Sequence, residues 1–535
     1  MHNILPYSPL VNYFFHFFQS FFQVFFDLYI LLFFMGTIPY MYNLSNDTGG
    51  EFHPLPHLNY PCAVTGHYIS SLFSHCGDFE MREIVFGLDG RVLISVCWLD
   101  GLVSGSSVSE NIIRPLSDAL RSCDAGNEES AYNVILGGGV YSHSVKELIL
   151  SDEVVSALTH GSCVLIFDTL QKALGFEARS DKTRAVSEPT LEKSLKGGKD
   201  SFTETLRTNT ALVRRRLCTP ALKTVESTVG RRSDTKVSVL YLDGVAPVER
   251  VEELARRLDG LDIDSLLSLG ILEEAICDCP RSPFPQLIHT ERPDRFAMYL
   301  AEGRMGILVD GIPVGLITPV SFSEFMRVIG DRNTHYIVSA GVTLLRYLAF
   351  FIALLLPAFY VAVAMYHQEM IPTRLLYSII EAKQGVPFST ALEVIGMLTA
   401  LSFLQEAGLR LPNPIGDTVS IIGALIVGQA AVDASLVSPI AIIVVALSGI
   451  ACYTLPSQDL AGAVRLCRML LLLSAVAAGL FGIAAMSCLI LLHLCGIDSF
   501  DVSYITMRSG IVPKPKLSEK YRPAELKTTD RRRQK

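Results

Sequence analysis

Leu344-Leu345-Arg346-Tyr347-Leu348-Ala349-Phe350-Phe351-Ile352-Ala353-Leu354-Leu355-Leu356-Pro357-Ala358-Phe359-Tyr360 decides how this chain must fold. Arg346 carries the only formal charge in the run. So long an apolar stretch belongs in hydrocarbon, where a helix satisfies its own backbone hydrogen bonds. Similar runs recur as far as Cys495, whereas the chain before Thr343 has mixed charge and reads as a water-soluble globular protein. A large soluble region therefore precedes a helical membrane region.

At 535 residues, with mean hydropathy +0.37, the chain has room for two or three domains. Its net charge of −8 is mild and does not point to nucleic acid. The 12 cysteines are scattered. Cys277 and Cys279 form the only close pair, and no matching His/Cys pair completes a metal site. Reduced thiols without a disulfide framework are expected, with Cys452, Cys467, Cys488 and Cys495 acting as small hydrophobes. No cofactor is implied. Leu10 to Ile38 is apolar and rich in Phe, with Asp27 its only formal charge and no Lys or Arg before it. It reads either as an additional membrane helix or as an over-extended start, with Met41 or Met81 the true one.

The soluble region contains an internal echo. Trp98-Leu99-Asp100-Gly101-Leu102-Val103 resembles Tyr241-Leu242-Asp243-Gly244-Val245-Ala246. Gly161 to Asp168 likewise resembles Gly303 to Asp310, at nearly the same offset. Strands alternate with helical patterns, which predicts two similar α/β subdomains. Each Asp-Gly after a strand reads as a turn. The polar stretch Glu177 to Asp200 reads as a linker. Ser201-Phe202-Thr203-Glu204 fits a capping box that would open a helix carrying Leu206, Thr210, Val213 and Leu217. Arg214-Arg215-Arg216 lies on that helix, either as a solvated basic face or as a contact with anionic lipid headgroups or an acidic neighbouring subunit.

In the membrane region the pattern predicts a span over 342–366, interrupted at Pro357 and anchored by Arg346-Tyr347. Pro372 to Gln384 is amphipathic and suits the interface. Apolar helices follow over 387–408, 416–436, 438–455 and 466–495, for four or five spans in all. Small residues four apart (Ala424/Gly428 in one helix; Ser474, Ala478 and Gly482 in another) read as close-packing stripes. The basic tail, with Lys514, Lys516, Lys520, Arg522 and Arg531-Arg532-Arg533, faces the cytoplasm by the positive-inside rule. With the soluble region inside as well, an even number of spans fits, most simply four. Polar residues in this apolar half are the candidates for function, because charge in lipid is expensive. They are Glu393, Glu406 with Arg410 four residues on, Asp417, and Gln429 with Asp433 four residues on. Around a symmetry axis such side chains would form a cation-attracting path; singly they read as helix-end charges or helix-pairing contacts.

Many short motifs then fall in one order: Phe202-Thr203-Glu204, Asn209-Thr210, Arg214-Arg215, Glu291-Arg292-Pro293-Asp294, Glu302-Gly303-Arg304, Asp310-Gly311, Arg346-Tyr347, Glu406-Ala407-Gly408 with Arg410-Leu411-Pro412, and Gly428-Gln429-Ala430-Ala431-Val432. On these residues, across about 78–504, the chain resembles the A subunits of GerA-type spore germinant receptors. The resemblance implies a multi-pass protein of the spore inner membrane, its soluble domain facing the cytoplasm or spore core. It implies partnership with a transporter-type B subunit and a lipoprotein C subunit, and response to nutrients followed by cation release. It also implies a homo-oligomer, a pentamer, whose membrane helices form the ion path. Asn209, Arg214, Arg292, Pro293 and Asp294 are implied as a structural or coupling motif. The chain departs from the family pattern at Leu398 and Ser402, where acidic residues are usual, at Gln405, where Arg is usual, and at Asp501-Val502-Ser503-Tyr504, where Gly-Val-Pro-Tyr is usual. An acidic pair at the end of the soluble domain is reduced to Asp331 and His335. If Leu398 and Ser402 face a pore, that pore is less acidic than usual.

The fold expected is thus an α/β soluble region of two similar subdomains (62–176 and 201–335, joined by a linker, 177–200), preceded by the Phe-rich extension (1–61). An all-α polytopic membrane domain (336–505) and a basic cytoplasmic tail (506–535) follow. An enzyme is not expected: there is no Gly-Lys-Ser/Thr phosphate loop, no His-Glu-x-x-His and no Gly-x-Ser-x-Gly elbow. The alternative to a receptor subunit is a related sporulation membrane protein that aids small-molecule release without sensing nutrients.

Overall fold

The computed structural model describes residues 64–86, 92–122, 128–140, 145–178, 189, 192, 197–410 and 428–505. The expectations for residues 1–61, for the helix over most of 416–436 with Asp417, and for the tail lie outside them. The described chain packs as two units. One holds residues up to 320 together with 497–502; the other holds 321–496 with the residues just after 502.

The soluble unit contains the duplication in full. Its first sheet is built from β1 (Phe79–Phe86), β2 (Val92–Leu99), β3 (Val145–Leu148), β4 (Ser162–Phe167) and β5 (Lys172–Glu177), in the order β1-β2-β4-β5-β3. Its second uses β6 (Leu222–Val229), β7 (Thr235–Leu242), β8 (Ile288–Thr290), β9 (Met305–Val309) and β10 (Gly315–Thr318), in the matching order β6-β7-β9-β10-β8. The paired strands are antiparallel. Helices cover both faces of the first sheet, so its central strand is apolar throughout rather than alternating. Along β4, Cys163, Leu165 and Phe167 enter one core with Ile112, Leu116 and Tyr132, while Val164 and Ile166 enter another with Ile69, Phe73 and Leu158. In the second sheet Val237, Val239, Ile307 and Val309 pack against Leu254, Leu258, Leu272 and Ile276. On its other face the Phe296 ring lies so close that a Cβ at Gly306 would stand 2.1 Å from it; only Gly fits there.

Gly101 and Gly244 have φ of 88° and 75°, so each Asp-Gly pair forms the expected turn. The capping box at Ser201 does not form. That segment is not helical: the Phe202 N–H donates to the Glu291 carbonyl at 2.8 Å, and the helix starts later, as Leu206–Arg214. Its amino end is capped from a distance, the Leu206 N–H donating to Asp310 Oδ1 at 2.9 Å. The first subdomain repeats the device. There the Gly66 N–H, opening helix Gly66–Leu72, donates to Asp168 Oδ1 at 2.7 Å. The two Asp residues that revealed the duplication thus do the same work in each copy.

The helical unit contains Tyr336–Tyr366, the amphipathic Thr373–Lys383, Thr390–Arg410, Pro439–Tyr453 and Gln458–Cys495. Pro357 lies within the first of these without ending it. Among the described residues two helices are long and apolar enough to cross a bilayer, Ile337–Tyr366 and Gln458–Cys495, with Pro439–Tyr453 a shorter apolar helix. Four or five such helices were expected; by length and composition two qualify.

The second of these helices is not a straight rod. Ala478 and Gly479 leave helical geometry, Gly479 with φ of 59° and ψ of −137°. A Cβ on Gly482 would lie 2.0 Å from the Ser474 carbonyl oxygen. Eight residues of straight helix span about 12 Å, so the chain must double back here. Both arms pack on the first long helix: Leu471 and Ala475 from one, Leu480 and Ile483 from the other, all against Ala358 and Ala362. The expected single span over 466–495 is therefore a hairpin of two arms. The stripe Ser474, Ala478, Gly482 is its elbow, because only small residues let the arms approach. The Tyr366 hydroxyl donates to the Val476 carbonyl at 2.6 Å, supplying a polar partner beside the break.

Candidate functional site

Helix Thr390–Arg410 places Glu393 in its first turn, pointing into the helical unit, where the residue is 2 % exposed. Glu393 Oε2 accepts from the Ser438 N–H at 3.0 Å and the Ser438 hydroxyl at 2.8 Å, just where helix Pro439–Tyr453 begins. Oε1 has no hydrogen bond; Lys383 Nζ stands 3.4 Å away. The Lys383 ammonium also donates to the Thr390 hydroxyl. Lys383 ends the amphipathic helix, and sequence reasoning missed it because it counted as interface charge. A cavity of about 300 Å³ opens beside this cluster.

A second buried charge was also missed. Arg468 is 1 % exposed in the first arm of the hairpin. Its Nη1 donates to Ser448 Oγ at 3.0 Å, and that hydroxyl donates to the Ala353 carbonyl at 3.2 Å. The signal was legible: an Arg inside an apolar run, three residues after Arg465. One turn earlier, Arg465 Nη1 donates to Gln405 Oε1 at 3.4 Å. Leu398, where the resemblance led us to expect an acid, is wholly buried against Val361 and Val445, and Ser402 donates to the Leu398 carbonyl.

Of the other candidates, Glu406, Gln429 and Asp433 lie on the surface of the helical unit. Gln429 Nε2 donates to Asp433 Oδ1 at 3.1 Å, so the residues four apart do share a face, and both are exposed. Glu406 is exposed on helix Thr390–Arg410, which ends at Arg410, and Asp417 falls outside the described residues. Asp331 and Arg346 meet in an ion pair, Nη2 donating to Oδ1 at 3.0 Å.

The soluble motif residues are structural in geometry. Asn209, fully buried, acts as a backbone mimic: Oδ1 accepts from the Thr203 N–H at 2.7 Å and Nδ2 donates to the Thr203 carbonyl at 2.6 Å. Arg214 is not part of a solvated basic face. It reaches into the first subdomain and forks onto Asp78, Nη2 donating to Oδ1 at 2.7 Å. Burial disfavours its charge, but the Asp78 hydrogen bonds and charge outweigh this and raise its pKa. Arg216 pairs with Asp200, and Arg215 is exposed. Pro293 opens helix Pro293–Ala301, where its missing N–H costs nothing. Arg292 pairs with Asp294 and donates to the carbonyls of Glu192 and Gly198, while Arg295 pairs with the Glu192 carboxylate. This cluster ties the linker between the copies to the second subdomain. Burial would raise the Asp294 pKa, but the Arg292 hydrogen bonds and charge hold it below the usual carboxylate range. No group of three or more His, Cys, Asp or Glu among the described residues could hold a metal ion.

A duplicated soluble unit, a helical unit with buried charges and this set of motifs define a class. The chain belongs to the Bacillus/Clostridium GerA spore germination protein family, which it matches over residues 67–532. It is 34% identical to spore germination protein KA of Bacillus subtilis (strain 168), over 85% of each chain. It is 35% identical to spore germination protein B1 of the same organism, over 85% of this chain and 95% of that one. It is 36% identical to the uncharacterized membrane protein YfkQ, also of that organism, over 83% of this chain and 85% of the other. Among solved structures it is similar to the N-terminal domain of the A subunit of the Bacillus megaterium spore germinant receptor GerK3. That match has 29% identity and a TM-score of 0.37, and covers 48% of this chain and 93% of that one. Membership of this family makes the chain a germination protein and not an enzyme.

Proposed function

We propose that this chain is the A subunit of a nutrient germinant receptor in the spore inner membrane, and that its helical unit forms part of an oligomeric cation path. The observation that carries the reading is the family match across both units, residues 67–532. A transporter-type B subunit and a lipoprotein C subunit are the partners, and a pentamer is the assembly. Glu406, Gln429 and Asp433 support an axial path, because they are exposed on the single chain, where neighbouring copies would meet them. Glu393 is enclosed within the subunit and lends the axial reading no support.

Covalent continuity supports a topology. The chain leaves the soluble unit at residue 320 and returns to it at 497–502. A folded unit lies on one side of a bilayer, so the crossings between are even in number. Glu393 meets Ser438 near one end of helix Thr390–Arg410, and Gln405 meets Arg465 near the other. With the two arms of the hairpin counted separately, helices Tyr336–Tyr366, Thr390–Arg410, Pro439–Tyr453 and the arms supply up to five crossings among the described residues, and parity supports an even total, four or six. The basic tail supports placing the soluble unit on the cytoplasmic or core side.

The test has two arms. Spores lacking the chain should lose response to one class of nutrient while answering others; equal slowing with every nutrient would favour the release-aiding alternative. Full-length protein in liposomes should pass monovalent cations, and a tight bilayer at all protein densities would remove the channel role.

A further inference from the structure

We propose that the Glu393 carboxylate is a binding site for a monovalent cation, and that the Lys383 ammonium is a tethered occupant which fills it in this conformation. A carboxylate enclosed by membrane helices is costly unless a cation compensates it. Glu393 Oε2 is satisfied by the two Ser438 donors, and Oε1 has only Lys383, 3.4 Å away. Among the described residues, the Lys383 ammonium is the cation paired with this carboxylate, and it compensates the buried negative charge.

The two partners are unequally held. The Glu393 side chain is 0 % exposed and fixed at a helix start, whereas the Lys383 side chain is 25 % exposed and ends a separate amphipathic helix. The buried pair in the soluble unit offers a contrast. Arg214 and Asp78 are each 1 % exposed and joined by two hydrogen bonds, as a permanent fastening should be. Lys383 instead makes a longer contact with the carboxylate and rests on Thr390.

Space for another cation lies alongside. The cavity of about 300 Å³ has Met365, Ile371, Leu376 and Ile380 in its walls and Lys383 and Thr390 in its lining. Withdrawing the lysine would leave an uncompensated carboxylate beside a small, largely apolar chamber. The chemistry that fits is a compact monovalent cation, either an alkali ion or a primary alkylammonium whose chain lies on the apolar wall. An anion is refused by the carboxylate. What release of Lys383 means for conduction rests on the channel reading above; the binding itself does not.

The experiment compares full-length wild type, Lys383→Ala and Lys383→Ala/Glu393→Gln in lipid nanodiscs. Thermal unfolding midpoints are read at constant ionic strength in N-methyl-D-glucamine, potassium or propylammonium chloride. The single variant should unfold earlier than wild type and recover in propylammonium or potassium, the effective ion showing which source the site takes. Neither wild type nor the double variant should respond. No recovery with either ion, or equal recovery in the double variant, would overturn the proposal. Should the alanine variant fail to fold, Lys383→Gln keeps a partner for Thr390 while removing the charge, and is read in the same way. Ion-dependent recovery without cation flux in liposomes would leave the site standing and remove only the channel reading.

Discussion

Arg214 grips Asp78 from 136 residues away along the chain, and that one buried fork bolts the second copy of the duplicated module onto the first. Arg207 adds a flanking contact, its Nε 3.2 Å from Asp100. Arg214→Leu strands the Asp78 carboxylate in a dry site, and losing one partner of such a pair costs about 3–5 kcal/mol. Thermal unfolding of the full-length protein should fall sharply in Arg214→Leu and recover in part in Asp78→Asn/Arg214→Leu. Equal unfolding of wild type and single variant would mean that the copies are held by packing alone.

Asp168 and Asp310 should be worth the same. Each accepts from the first N–H of a helix in its own copy. Alanine at either should cost about 1 kcal/mol, the usual value of a lost helix cap. The sites lie in separate copies and share no partner, so the two losses should add. Asparagine, which keeps an acceptor, should cost less. Denaturant titration of the four proteins measures this.

Asp294 sets an acid limit. Its folded pKa lies below the unfolded value of about 3.9 because of Arg292. Its contribution is therefore present above about pH 4 and is lost as pH falls through the folded pKa. Asp294→Asn should be less stable than wild type at neutral pH, and the gap should close on acidification. A gap that stays constant from neutral pH downwards would show that the ion pair contributes nothing.

The hairpin elbow should resist substitution. Gly479 has positive φ, and a Cβ there would lie 3.1 Å from the His367 ring and 3.2 Å from Tyr366. Gly479→Ala should lower the abundance and unfolding temperature of the membrane-embedded protein. Gly341→Ala, with nothing within 4 Å of the new Cβ, should do neither. Tyr366→Phe, which removes the hydrogen bond to Val476, should cost about 0.6 kcal/mol.

Much of the soluble fold was legible because repetition is a property of sequence. Asp168 and Asp310 betrayed the duplication, yet their task was hidden, since the N–H groups they receive lie about a hundred residues earlier in the chain. The false capping box has a more local cause. Ser201 has the right local pattern, but the buried Asn209 amide takes both backbone groups of Thr203, and the helix starts at Leu206. In the helical unit Glu393 was found because charge in an apolar run stands out. Arg468 stood out equally and was passed over. Lys383 could not be found, because its partner is fixed by tertiary packing. The hairpin was misread for a physical reason: Gly and Ala four apart allow close approach both between two helices and within a chain that reverses.

The segment after the last helix has a consequence for how this protein can be cut. Phe500 is buried in the second core, its N–H donates to Asp278 at 2.8 Å, and the Arg257 guanidinium sits 4.4 Å above its ring. The bilayer portion is thus an excursion inserted into a soluble fold, not an anchor appended to it. A protein truncated at Val320 would be missing a stitch: its second core would open onto water where Phe500 belongs, and adding the hexapeptide 497–502 in trans or by fusion should close it.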